Sequence, residues 1–135
     1  MSAVSPPELA YTLTERREDI SPADIQSLRE SVGWQADSQE VWQVTLDTAL
    51  SVRAVFVGIG FLVGSPRHAV LCDVCVKPAY QSRGLGGKLV ASLVEDAKRK
   101  KLRYITLTFD ANAPWLKDWY GKHGFRVAGN AMRLP

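Results

Sequence analysis

The chain is 135 residues long, 46% hydrophobic and 23% charged, with a net charge of +3. These totals fit one soluble globular domain, large enough to bury about two-thirds of its unfolded surface without disulfide or metal staples. They argue against a membrane protein, because the longest apolar run is too short to span a bilayer, and against a secreted one, because Met1 to Glu18 has no apolar core for a signal peptide.

In chain order, residues 1–8 are small, polar and broken by Pro6-Pro7, and are expected to form a disordered tail, leaving a single domain over 9–135. Leu9 to Glu15 alternates Leu9, Tyr11 and Leu13, as a strand does. Ser21-Pro22-Ala23-Asp24 is a helix start, with an N-cap serine, proline at the first helical position and an early carboxylate. Ile25, Leu28 and Val32 carry that helix to Gly33, and Trp34 follows in a loop. A second helix starts at Ser38, runs through Val41, Trp42 and Leu46, and ends near Leu50. Residues 51–57 and 59–63 read as two strands joined closely at Gly58, and Gly64 to His68 as a turn.

Ala69 to Val76 is apolar at almost every position and reads as a buried central strand. Cys72 and Cys75 stand three apart in it, on opposite faces of a regular strand, so no disulfide between them is expected. No second ligand pair accompanies them, so no metal site is read here; both count as small core hydrophobes, in a cytoplasmic chain. Asp73 is the exception in this strand, because an unpaired carboxylate among apolar neighbours is costly. Either it makes a salt link to His68, Arg53 or Arg67, or it attracts a substrate ammonium and relays its proton; both readings stand.

Gln81-Ser82-Arg83-Gly84-Leu85-Gly86-Gly87 follows, and runs straight into an apolar stripe at Leu85, Leu89, Leu93 and Ala97. A glycine-rich turn at a helix start presents free backbone N–H groups and the positive end of the dipole, a site for phosphate oxygens with Arg83 beside it. It is not a P-loop, since Ser82 stands where glycine is needed and Leu89 where Ser or Thr would hold magnesium. Nor is it a dinucleotide fingerprint, since Leu89 also replaces the third glycine. Lys98 to Lys101 and Arg103 close the helix and carry most of the positive excess. They read as a solvated helix end; no nucleic-acid signature accompanies them, and none is expected as partner. Tyr104 to Phe109 is a strand, Asp110 to Pro114 a cap for a helix over Trp115 to Lys122, and Gly124 its stop. Phe125 to Val127 begins a further strand and Met132 to Leu134 ends another. The expected class is mixed α/β, with a central sheet of six to seven strands flanked by four helices.

Gln81-x-x-Gly84-x-Gly86, placed between a strand ending Val76-x-Pro78 and an amphipathic helix, resembles the pyrophosphate-binding motif of the GNAT superfamily of N-acetyltransferases. The element order from Leu9 to Leu134 is also similar to that family's. The resemblance implies the acyl-CoA N-acyltransferase fold, with acetyl-CoA as co-substrate. It implies that the backbones of Val74, Cys75 and Val76 hold the pantetheine arm and polarise the thioester carbonyl. The pyrophosphate would then sit on Gln81, Ser82, Arg83, Gly84, Leu85, Gly86 and Gly87. Asp118 to Phe125 resembles the family's Phe-Tyr-x-x-x-Gly-Phe signature, which makes Tyr120 the general acid for the coenzyme A thiolate, a role that a phenol of pKa about 10 suits. Asn112 matches an asparagine that contacts the cofactor, and His123 and His68 are alternative bases to Asp73.

Val32-Gly33-Trp34, Asp73-Val74-x-Val76, Tyr80-Gln81 and Ile105-Thr106-Leu107 more loosely resemble short plant and cyanobacterial-type arylalkylamine (serotonin) N-acetyltransferases, although Phe61 stands where close relatives are expected to carry a basic residue. Trp34, Trp42, Phe61, Trp115 and Trp119 would form an aromatic amine pocket or serve the core. The implied function is direct transfer of acetyl, in a ternary complex, from acetyl-CoA to the primary amine of a small arylalkylamine-like or polyamine-like molecule. No metal is implied, and a homodimer is allowed. The alternatives are a protein lysine or N-terminal acetyltransferase, a non-catalytic acyl-CoA sensor, and an RNA- or protein-binding domain that shares the fold.

Overall fold

The computed structural model describes residues 12–134. The expected tail over 1–8, and Leu9 to Tyr11 of the expected first strand, lie outside the described residues. Ser21, read as an N-cap, serves as one, and Ser38, read as the start of the second helix, caps that helix too. Ser21 Oγ accepts from the Asp24 N–H at 3.0 Å at the head of α1, Pro22–Ser31, and Ser38 Oγ from the Val41 N–H at 3.2 Å at the head of α2, Gln39–Thr48. Helix α1 stops at Gly33, whose φ of +80° is the left-handed conformation that a helix end of this kind uses. Ile25, Leu28, Trp42 and Leu46 from these two helices bury against one face of the sheet.

Strands β1, Ser51–Val55, β2, Gly58–Gly64, and β3, His68–Val76, form an antiparallel meander, and β4, Tyr104–Thr106, adds parallel to β3. Thr14 makes an isolated antiparallel bridge to Ala54 on the other side of β1. The β1–β2 turn is Phe56-Val57, so Gly58 is a strand residue rather than the joint. Its glycine is required by close approach: a Cβ there would stand 3.0 Å from the Cys75 carbonyl oxygen and 3.3 Å from Leu89. Helix α3, Leu85–Arg99, covers the opposite face with the expected stripe, and Leu85, Leu89, Leu93 and Ala97 are all buried. No helix among the described residues is long and apolar enough to cross a membrane.

The described residues form four strands, not six to seven. The strand expected over Tyr104 to Phe109 ends at Thr106, where its ladder with β3 ends. No strand forms over Phe125 to Val127 or Met132 to Leu134; Val127, Met132 and Leu134 are exposed, so no buried face rewards pairing there. The end of the chain instead follows α4, Trp115–Gly121, which Gly124 stops at φ +94°. Asp110 to Pro114 does not cap α4 through a side chain. Pro114 is the N-cap and makes no cap bond, while the Asp110 carboxylate accepts from the Asn112 N–H at 2.8 Å and closes the preceding turn.

Candidate active site

The central strand is broken in a way its sequence does not announce. Ile59 pairs with Cys75 and Phe61 with Cys72, so three steps along β3 face two along β2. The extra residue is a β-bulge at Asp73, whose φ of +57° is left-handed, a conformation that costs an L-residue roughly 1–2 kcal/mol. The bulge reverses the strand's alternation. Cys72 and Cys75, expected on opposite faces, therefore both lie against the α1–α2 side, while Val74 lies against α3. Both cysteines are free, and burial together with the Asp73 charge pushes both thiols up to about 12. They remain protonated, consistent with core packing rather than with a thiolate ligand or nucleophile.

The β3–β4 ladder runs only from His68 with Tyr104 to Val70 with Thr106. From Leu71 to Val76, β3 has no strand partner on that edge among the described residues. This edge leads to the glycine loop. There Ser82 (φ +63°) and Gly84 (φ +79°) are both left-handed, and Gly84 is the N-cap of α3 without a side-chain cap bond. The first backbone N–H to close on the loop is that of Lys88, to the Gly84 carbonyl at 3.0 Å. The N–H groups of Leu85, Gly86 and Gly87 belong to the turn that has no intrahelical acceptor. A Cβ on Gly84 would meet nothing within 4 Å, so the loop is open above that residue. Arg83 lies over the Tyr80 ring, 5.6 Å from its centroid. Free donors, an open approach and a dipole of the right sign fit a pyrophosphate.

Two loop residues also have packing duties. The Gln81 side-chain amide donates to the Val76 carbonyl at 2.9 Å, tying the loop to the end of β3. Trp119 of α4 lies 3.4 Å from where a Cβ on Gly86 would stand, and His123 lies 3.7 Å from the same point on Gly87. Helix α4 therefore walls the loop on one side. Burial lowers the pKa of His123, which keeps its ring neutral near pH 7. Tyr120, next to Trp119, packs edge-on against it and against Phe125 in the cluster that holds Leu71 and Val74. Its hydroxyl makes no hydrogen bond among the described residues, and no buried side-chain polar atom among them lacks a partner; the hydroxyl is thus accessible. Burial of the ring raises its pKa.

Asp73 has a partner, but none of the three that the sequence suggested. His68 bonds Thr106 at 2.9 Å, Arg53 engages Asp96 and Glu15, and Arg67 offers its backbone carbonyl to Tyr104 and makes no ion pair among the described residues. The partner is Arg29 of α1, whose Nη1 lies 2.5 Å from Asp73 Oδ1. Arg29 was missed in the sequence, yet a signal was there: it occupies the i+4 position from Ile25, on the same helical face as Leu28 and Val32. Asn112 is exposed in the turn before α4, and only its backbone N–H is engaged. The five aromatics do not gather into a pocket. Trp42 and Phe61 stack in the core, 6.1 Å apart, Trp34 and Trp115 are exposed, and Trp119 walls the loop.

Comparison with known proteins agrees with this geometry. A curated relative, an uncharacterized N-acetyltransferase of Gracilaria tenuistipitata var. liui, is 27% identical over 112 residues, covering 76% of this chain; the chain spans 60% of that relative's length. Among solved structures, a Staphylococcus aureus protein of unknown function is 21% identical, with a TM-score of 0.79, covering 92% of this chain and 98% of its own. A GNAT family acetyltransferase of Elizabethkingia anophelis, solved with acetyl-CoA bound, is 18% identical with a TM-score of 0.66, covering 87% of this chain and 77% of its own. At such identities the solved structures establish the fold. The family model described as the acetyltransferase (GNAT) domain matches residues 40–127, and the chain belongs to that family.

Proposed function

We propose that residues 9–135 form one acetyl-CoA-dependent N-acetyltransferase domain that acetylates the primary amine of a small molecule by direct transfer. The observation that carries the reading is the open β3 edge, Leu71 to Val76, running into a helix N-terminus whose first-turn donors are unused within the helix. The residues that would hold the co-substrate are the backbones of Val74, Cys75 and Val76 along that edge and the loop from Gln81 to Gly87, with Asn112 nearby in sequence to α4. The co-substrate supplies an activated thioester and a thiolate leaving group. That a family member from Elizabethkingia anophelis was solved with acetyl-CoA bound supports this choice of ligand.

The chain's own residues divide the remaining work between the two sides of β3. Tyr120, on the α3 side, holds a phenolic proton at an accessible oxygen, where a leaving thiolate would need one. Asp73, on the α1 side, presents a carboxylate at the bulge, where it attracts an ammonium and receives its proton directly or through water. His123 sits against the phosphate loop rather than beside Asp73, so we assign it to the loop's wall and not to base chemistry. An arylalkylamine or polyamine is the proposed acceptor class, in a cytoplasmic enzyme.

The test is release of free thiol from acetyl-CoA in the presence of serotonin, tryptamine, spermidine and a lysine peptide, alongside direct titration of acetyl-CoA. Turnover on a small amine supports the reading. Turnover on the peptide alone reassigns the acceptor to protein. Binding of acetyl-CoA without turnover on any of the four makes the chain a sensor.

A further inference from the structure

The Arg29 guanidinium is the most heavily engaged group on the acceptor side of the proposed site. Its Nη1 reaches Asp73 Oδ1 at 2.5 Å, its Nε donates to the Gln35 carbonyl at 2.7 Å, and its Nη2 stands 3.8 Å from Asp37 Oδ2. The same group lies over two indole rings, 5.3 Å from the Trp34 centroid and 5.0 Å from that of Trp42. Trp42 belongs to the core, whereas Trp34 and Asp37 lie exposed in the loop between α1 and α2. One side chain therefore joins three parts of the molecule: the bulge of β3, that loop, and the aromatic core beneath both.

We propose that Arg29 is a positioning residue that sets acceptor selectivity, holding the Asp73 carboxylate at the bulge and the Trp34–Asp37 segment beside it, so that a cationic amine is favoured. The inference rests on the acetyltransferase reading given above. The charge arithmetic supports it. Two carboxylates share one guanidinium, so the cluster keeps a net negative charge and attracts an ammonium rather than repelling it. The geometry needs arginine. A planar fork can lie over the indole rings, donate to Asp73 and to the Gln35 carbonyl in two in-plane directions, and still face the Asp37 carboxylate, which the point charge of lysine cannot do. The left-handed Asp73 backbone also needs surrounding structure to over-determine it, and Arg29 provides a contact across 44 residues of chain.

The experiment measures KM and kcat for tryptamine and for spermidine, with acetyl-CoA affinity by titration, in the wild type, Arg29→Lys, Arg29→Met, Asp73→Asn and the double variant Arg29→Met/Asp73→Asn. Arg29→Met is expected to raise the amine KM about tenfold while acetyl-CoA affinity stays within about twofold. Arg29→Lys should recover only part of that loss. If Arg29 acts through Asp73, the double variant will be no worse than Asp73→Asn alone, because coupled residues are non-additive. Additive losses, or a wild-type KM in Arg29→Met, would overturn the inference and leave the acetyltransferase reading intact. If Arg29→Met does not fold, Arg29→Lys decides, and a wild-type KM there overturns the inference too. A wild type that turns over neither amine removes the reading itself, and this inference with it.

Discussion

Tyr120 is half-buried, and burial raises its phenol's pKa by disfavouring phenolate. A phenol is protonated across the neutral range in any case, and the proton donation proposed for it would fail only above the ordinary phenol value of about 10. Tyr120→Phe removes one oxygen and almost no volume. Turnover is expected to fall by roughly 10²- to 10⁴-fold, with acetyl-CoA affinity and melting profile retained, and the high-pH limb of the rate profile should vanish. A phenylalanine variant at wild-type rate would reduce Tyr120 to a packing residue of the α3 cluster. Gly86 gives a second measurement. A carboxylate placed there by Gly86→Glu would stand where the pyrophosphate is proposed to bind, and acetyl-CoA affinity should fall more than about tenfold. Because that side chain must pass Trp119, the melting profile is measured alongside; unchanged affinity in a folded variant would move the pyrophosphate elsewhere.

Helix α3 joins the two halves of the molecule, with the glycine loop at its head and Asp96 near its foot. The Asp96 side chain is fully buried, accepts from Ser51 and Arg99 and from Lys100 Nζ at 2.9 Å, and pairs ionically with Arg53 Nη2 at 3.3 Å. Burial alone would raise its pKa, but the bonds from Ser51 and Lys100 and the Arg53 charge outweigh it and hold the carboxyl well below the usual range. A depressed folded-state pKa stabilises the fold above the unfolded value of about 3.9, and that stability is lost as pH falls toward the folded value. Unfolding midpoints in urea should therefore drop steeply below about pH 4, and Asp96→Asn should flatten that dependence while costing about 3 kcal/mol at pH 7. An unchanged acid limb would show that Asp96 is not the group titrating. The head of α3 was readable in sequence because glycines, a proline-bounded strand and a clean helical stripe all agree. Its foot was not: a basic run at a helix end looks solvated until a buried carboxylate supplies a reason for it. Ser21 was readable as a cap and Ser38 as a helix start because such signals are local, but the bulge at Asp73 was hidden, since it arises from how β3 pairs with β2.

At the scale of the whole molecule, the sheet separates two proposed tasks that the sequence could only list side by side. The α3 side holds the glycine loop and Tyr120, the α1–α2 side holds Asp73 with Arg29, and β3 lies between them with one edge unpaired among the described residues. Resemblance to a family marked the first side residue by residue, because its motifs are continuous in sequence. The second side is assembled from Arg29, Trp34, Asp37 and Asp73, up to 44 residues apart, and no local pattern announces such a set. Among the described residues four strands form where six to seven were expected, for a related reason: Phe125 to Leu134 has strand-like residues, but no partner strand among those residues and an exposed Val127, Met132 and Leu134. The central claim is that acetyl-CoA lies along the open edge of β3 with its pyrophosphate on the glycine loop. Amide hydrogen exchange with and without acetyl-CoA tests it most directly. Exchange should slow in residues 71–76 and in 81–88, with little change over α1 and α2. Protection confined to the α1–α2 side, or no protection at a saturating concentration, would contradict it.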